Sequence, residues 1–198
     1  MTPSLDALKA ELERFGRTND ELHAERALRM LNITRDTGEF LAVLVRATQA
    51  RRILEIGTSN GYSTLWLAEA AQGKGIDGSV TTVELSESKI QLARSTFARS
   101  GLSNCIQLCH EDAGRLLVRS ETEAYDLVFL DSERPEYPGW WPQIRRVIGP
   151  GGLLVVDNAT SHTGQMAPFM DLVRADPAFT TCLATVGNGE FMAVKELA

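Results

Sequence analysis

The apolar residues of this chain recur in two periods. Over 1–50 they fall three and four apart, the spacing of one helix face. Leu5, Leu8, Leu12 and Phe15 follow Thr2-Pro3-Ser4, a helix start signal, and Gly16 predicts the end of that helix. A second helix is predicted over 20–31. A third begins near Asp36-Thr37-Gly38 and carries Phe40, Leu41, Leu44 and Val45 towards Ala50. From Arg52 short apolar runs alternate with helical patterns, which predicts a parallel sheet. The strands are 53–56, 79–84, 106–109, 125–130 and 153–156, and the helices 62–71, 86–100, 113–118, 138–147 and 163–175. Gly149-Pro150-Gly151-Gly152 reads as a tight turn. The end breaks the alternation: strands over 180–186 and 191–195 flank Gly187-Asn188-Gly189, a hairpin turn, so the sheet finishes antiparallel. The expected architecture is one α/β domain over 1–198, with a Rossmann-like core (51–198) behind an N-terminal helical cap (1–50). The cap either covers one sheet face or touches ligand or a second copy.

Composition narrows the function. A chain of 198 residues, 43% hydrophobic and 23% charged, is an ordinary globular domain. A net charge of −6 argues against a nucleic-acid surface, which needs clustered Lys and Arg. No apolar run reaches the roughly 18 residues of a membrane span. Charges are spread through 1–17, so no signal peptide is expected there. The three cysteines, Cys105, Cys109 and Cys182, make no CxxC pair, which fits reduced thiols in a cytoplasm, and the first two read as packing residues.

In an open parallel sheet, ligands sit at the carboxyl ends of the strands. Here those ends are Gly57, Glu84, His110-Glu111-Asp112, Asp131 and Asp157. The turn after the first strand, Gly57-Thr58-Ser59-Asn60-Gly61, lets backbone approach a ligand and leads to a helix N-terminus. Glu84 is placed to accept hydrogen bonds from a ribose diol. That pair alone suits either a dinucleotide or S-adenosylmethionine. The spacing Gly57-x-x-x-Gly61, with Glu55 before it, is a poor pyrophosphate cradle compared with GxGxxG. It leaves the Ser63 hydroxyl at the helix start free to meet a carboxylate. Lys74 and its glycines read as a surface loop, since no GK[ST] leads into a helix.

The stretch Glu55-Ile-Gly57-Thr-Ser-Asn-Gly61-Tyr62-Ser63 resembles the first motif of the S-adenosylmethionine-dependent O-methyltransferases related to catechol and caffeoyl-coenzyme A O-methyltransferases. The likeness continues in Glu84, Glu111-Asp112-Ala113, Phe129-Leu130-Asp131 and Gly151-Gly152-Leu-Leu-Val-Val-Asp157-Asn158, and spans roughly 32–195. It implies a class I methyltransferase sheet and a small hydroxylated acceptor, and relatives of this kind often form a homodimer, which the N-terminal helices could serve. Residue by residue, it implies that Gly57 and Gly61 shape the turn around the methionine part of the cofactor. Ser63 binds the methionine carboxylate with Tyr62 and Glu55 nearby, Glu84 holds the ribose, and Asp112 and Ala113 lie along the adenine. Asp131, which ends a strand beside the cofactor, Asp157 and Asn158 match three metal-ligand positions. Asn32 and Ile33 match, more weakly, a segment closing over the cofactor.

Two carboxylates and an amide form an all-oxygen set that suits Mg²⁺, Mn²⁺ or Ca²⁺ and, lacking His, not zinc. The alternative is that Asp131 bonds cofactor or substrate without metal, while Asp157-Asn158 caps the next helix. A cation would predict a vicinal diol such as a catechol as acceptor. The chain departs from its relatives in Asp131-Ser132-Glu133-Arg134, where they place lysine, the candidate base, at the fourth position. Arginine, with a pKa above about 12, cannot accept a proton near neutrality, though Arg134 could pair with an anionic substrate as a catalytic group. Two readings therefore stay open beside cation-assisted transfer: a metal-independent methyltransferase acting on an anionic small molecule, and a non-catalytic S-adenosylmethionine-binding protein. Among other polar groups, His162 follows Asp157-Asn158 and is a better proton acceptor candidate than His110. Tyr137, Trp140 and Trp141 read as packing residues, with walling of a flat substrate the alternative.

Overall fold

A computed structural model describes residues 4–73, 75 and 77–197. Lys74, read above as part of a surface loop, and Thr2 and Pro3 of the helix start signal lie outside the described residues. Seven strands form one sheet: β1 (Arg52–Ile56), β2 (Ser79–Glu84), β3 (Ile106–His110), β4 (Tyr125–Leu130), β5 (Ile148–Val156), β6 (Phe179–Ala184) and β7 (Glu190–Lys195). Their order across the sheet is β3-β2-β1-β4-β5-β7-β6. The first five run parallel, and β7 is antiparallel to both β5 and β6, as the hairpin pattern predicts.

Helices α1 (Leu5–Leu22), α2 (Arg35–Thr48), α3 (Tyr62–Ala71) and α4 (Glu87–Ser100) cover one face. Helices α5 (Ala113–Arg119), α6 (Tyr137–Val147) and α7 (Thr163–Arg174) cover the other. The two-residue period of the strands divides the core. Leu54, Ile56, Val128, Leu130, Leu154 and Val156 pack under α5–α7, whereas Ile53, Leu127, Phe129 and Val155 pack under α1–α4. Glu55 falls in the second register and is buried beneath α3. Cys105 and Cys109 are buried packing residues. Among the described residues no helix is long and apolar enough to cross a membrane.

The cap departs from the pattern twice. Gly16 does not end α1, which continues to Leu22. Its missing side chain instead admits Asn32, whose Nδ2 would lie 2.4 Å from a Cβ there and donates to Leu12 O at 3.0 Å. The helix expected over 20–31 is a single 3₁₀ turn, Arg26–Leu28, followed by extended chain. Asp20 explains this. Its carboxylate accepts from Met30 N at 2.6 Å and Leu31 N at 2.9 Å, taking donors a helix would have used, and Leu31 has a positive φ of 51°. The Gly149–Gly152 stretch is not a separate turn: it loops out within β5, between the pairs Tyr125↔Ile148 and Leu127↔Leu153.

This strand order positions the site. The chain begins at β1, moves outward to β3, then crosses back to β4 on β1's other side. The crevice opens where that order reverses. Gly57 and Asp131 therefore leave adjacent strands, with Asp131 N donating to Ile56 O at 3.0 Å, and Asp157 N donates to Leu130 O at 3.1 Å.

Candidate active site

The turn after β1 is built around contacts only glycine allows. Gly57 has φ +109°, and a Cβ on it would stand 2.1 Å from the Asp131 carbonyl oxygen. Ser59 N donates to Glu84 Oε2 at 2.9 Å, while Glu84 Oε1 accepts from Leu85 N and Ser86 N at 3.0 and 2.9 Å. Glu84 is thereby fixed at the end of β2, with lone pairs still available. Ser59 Oγ donates to Met30 O at 2.7 Å, tying the turn to the extended chain after α1. Between them lies a cavity of about 700 Å³. Gly57, Tyr62, Ser63, Glu84, Asp112, Ala113 and Asp131 line it, and Met30, Asn32, Ile33 and Arg26 close it from the cap side.

Glu55 and Gly61, both expected near the cofactor, are not on that wall. Gly61 faces the Phe97 ring. Glu55 stands one layer behind, accepting hydrogen bonds from Thr64 Oγ1 and, at 2.6 Å, from Thr82 Oγ1. Thr82 in turn meets Thr58 Oγ1 at 2.6 Å, so this buried carboxyl braces the turn from beneath. Burial pushes its pKa up from 4.5 to about 7. The folded chain then holds a proton that the unfolded chain has released, so this group makes stability fall as pH rises from 4.5 to 7. The loss is about 3 kcal/mol, at roughly 1.4 kcal/mol per pKa unit. Glu55→Gln removes that dependence. Denaturant titrations from pH 4.5 to 8 are expected to show the variant gaining on the parent protein with rising pH, and parallel curves would refute the assignment.

Beside the turn is a cluster of acids, half-buried at Asp131 and buried at Asp157. Asp131 is on the cavity wall; Asp157, 3% exposed, is not. Asn158, with φ +71°, joins them: its Nδ2 lies 3.1 Å from Asp131 Oδ1 and 3.0 Å from Asp157 Oδ2, and its N donates to Asp157 Oδ1 at 2.6 Å. Burial, and then the Asp157 carboxylate beside it, push Asp131 well above the usual carboxylate range. Burial also raises Asp157. A third acid, Glu190, is fully buried next to Asp157, and burial together with that neighbour raises it. Arg134 is 6% exposed and off the cavity wall. Among the described residues it makes no ion pair within 4.0 Å, and its Nε meets no acceptor, yet its charge draws Asp131 and Asp157 downward.

The family model described as O-methyltransferase matches residues 10–196. The chain belongs to the O-methyltransferase family. It is 33% identical over 135 residues to the catechol O-methyltransferase of Mycobacterium tuberculosis, covering 68% of this chain and 60% of that protein. The O-methyltransferase from Bacillus cereus, solved in complex with SAH, superposes with a TM-score of 0.80 at 27% identity, over 99% of this chain and 93% of that one. TomG from Streptomyces achromogenes, an O-methyltransferase solved with SAM, gives 0.75 at 28% identity over 91% and 88%.

In this methyltransferase, then, the residues expected from the sequence converge in two groups. Gly57, Tyr62, Ser63, Glu84, Asp112, Ala113 and Asp131 share one cavity; Asp157 and Asn158 reach it through Asp131. The aromatic run divides. Tyr137 and Trp141 pack in the core, where the Tyr137 hydroxyl accepts from Ser132 N at 2.7 Å, and Trp140 alone lines the cavity. His110 bonds Leu85 O at 3.1 Å and stands outside the wall. His162 is half-buried, also off the wall, and is kept below its ordinary pKa by burial and by Arg134. Sequence reasoning missed Arg26, Met30 and Glu190. The cap residues look like helix surface, and Glu190 follows a hairpin turn, where an acid reads as solvated. Only the placement of β7 inside the sheet buries it.

Proposed function

We propose that this O-methyltransferase takes its methyl group from S-adenosylmethionine and transfers it to one hydroxyl of a small, catechol-like acceptor, assisted by a divalent cation. The observation that carries this reading is Asp131, a single carboxylate shared by the cavity wall and the acid cluster. Support for the donor comes from the relatives solved with SAH and SAM, and support for the acceptor from the name of the mycobacterial relative. Gly57 would let the methionine part pass close to backbone, Ser63 would meet its carboxylate, and Glu84 would accept from the ribose. Asp112, Ala113 and Trp140 would flank the adenine. Replacing Glu84 by Gln is expected to weaken S-adenosylmethionine binding about 10- to 100-fold, the loss of a hydrogen bond worth about 1.5–3 kcal/mol to a charged group, as read by calorimetry. Unchanged affinity would place the ribose elsewhere.

The acid cluster fits a hard cation. Asp157 is buried and Asp131 half-buried; both are unpaired with any basic group within 4.0 Å among the described residues, and they are joined by an amide that offers oxygen when turned over. Among the described residues no three His, Cys, Asp or Glu side chains form a metal-holding group, so the amide is needed to complete the set. A bound divalent cation lowers the pKa of a coordinated hydroxyl and orients two neighbouring ones. The protein's part is positioning: the acceptor oxygen must stand about 3 Å from the methyl, in line with the sulfur. Arg134 cannot act as base and contributes a fixed charge from behind Asp131.

Turnover against catechol and monophenols, with Mg²⁺, Mn²⁺ or EDTA, tests this reading. Methylation of catechol that stops with EDTA is expected. A rate surviving exhaustive chelation would remove the cation and favour the metal-independent alternative, in which buried Arg134 supplies the positive charge.

A further inference from the structure

We infer that Glu190 is a positioning residue of the proposed cation site, acting through Asp157; the inference rests on the cation reading above. Glu190 opens β7 one residue before Phe191, which pairs with Val156, so it stands level with Asp157 at the carboxyl end of β5. Its side chain is 0% exposed. One oxygen accepts from Thr37 Oγ1 at 3.0 Å; the other meets no donor. The strand register thus sets the Glu190 and Asp157 carboxyl groups side by side.

A buried carboxyl oxygen without a donor is costly to leave unsatisfied. Glu190 thus brings a third carboxyl group to the strand ends that carry Asp131 and Asp157.

The backbone makes the same connection. Asn188 O accepts from Thr160 N at 3.0 Å and Ser161 N at 3.1 Å, and Gly189 O accepts from Ala159 N at 2.8 Å. The hairpin before Glu190 is therefore bonded to the loop that carries Asn158. Asp36 Oδ2 accepts from Gly187 N at 3.1 Å, joining α2 to the same unit. Glu190, held by α2, fixes the Asp157 carboxylate from behind, as outer carboxylates do for metal ligands.

Mn²⁺ binding, followed by electron paramagnetic resonance on the full chain, tests this. Glu190→Gln keeps the shape and the Thr37 hydrogen bond but removes the charge. It is expected to weaken Mn²⁺ binding 10- to 100-fold while S-adenosylmethionine affinity and metal-free thermal unfolding stay unchanged. Thr37→Val, which frees Glu190 to move, is expected to weaken Mn²⁺ binding by less. Equal Mn²⁺ affinity in Glu190→Gln and parent protein overturns the inference alone. No Mn²⁺ binding by the parent protein overturns the cation reading and this inference together. A Glu190→Gln protein that melts early without metal, yet binds Mn²⁺ normally when folded, assigns Glu190 to structure only and overturns it as well.

Discussion

Asp157→Asn is expected to lower kcat/KM for catechol by about 10³-fold while S-adenosylmethionine still binds with parental affinity. The two effects separate because of where Asp157 sits. It is off the cavity wall, so no cofactor contact is lost. It is 3% exposed, and Asn fills the same volume, so no hole is created. What goes is one of the carboxylates proposed to hold the cation, with the acceptor on Asn158 N at 2.6 Å weakened from charged to neutral. Lewis-acid stabilisation by a bound metal amounts to several kcal/mol, and about 4 kcal/mol corresponds to the stated loss. Steady-state kinetics at saturating Mg²⁺, paired with calorimetry for the cofactor, reads both quantities. Activity within threefold of the parent would mean that Asp157 holds no cation the reaction needs. Loss of cofactor affinity in parallel would mean that the acid cluster shapes the cavity rather than the chemistry.

The two halves of this chain were unequally legible in its sequence. The α/β core was clear because its signals are local. Each strand is a short apolar run ended by a turn residue, and each helix begins where the period changes; α3 and β2 fall where the pattern puts them, at Tyr62–Ala71 and Ser79–Glu84. The rule that ligands gather at strand ends then made Gly57, Glu84, Asp131 and Asp157 candidates before any contact was known. The cap was misread because its outcome depends on a competition. Residues 20–31 have a helical pattern, but Asp20 captures the amides of Met30 and Leu31 and turns that chain into the cavity's cover. Periodicity carries no information about such a capture. Burial of polar groups was equally hidden. Arg134 and Glu190 are ordinary surface residue types, each next to a turn, and only the packing of α6, α7 and β7 puts them beside Asp157. The part hardest to read from the sequence is thus the buried polar group around Asp157, because its members come from elements far apart in the chain.

Gly57→Ala is expected to lower the melting temperature by about 10 °C and to impair cofactor binding and turnover together. The new Cβ would lie 2.1 Å from the Asp131 carbonyl oxygen and 2.8 Å from its carbonyl carbon. Both are backbone atoms, so no rotamer change relieves the contact. The residue must also keep φ near +109°, which costs an L-residue about 1–3 kcal/mol. Separating the two chains strains the bond from Asp131 N to Ile56 O, 3.0 Å in the parent, for about 1 kcal/mol more. A total of about 2–4 kcal/mol, at roughly 2–4 °C per kcal/mol for a chain of this size, centres on the stated shift. Gly101→Ala is the control. Gly101 also has positive φ, +75°, but a Cβ there meets nothing within 4 Å, so only the conformational cost remains and a shift of a few degrees is expected. The functional readout separates clash from strain in the same way. Displacing the Asp131 carbonyl moves the carboxylate that joins the cavity to the acid cluster, so Gly57→Ala is expected to lose turnover beyond its loss of cofactor affinity, whereas Gly101→Ala keeps both. Melting of Gly57→Ala within about 2 °C of the Gly101→Ala protein would show that β1 and β4 yield at their ends, and that the close approach of the turn to Asp131 is not what fixes the site.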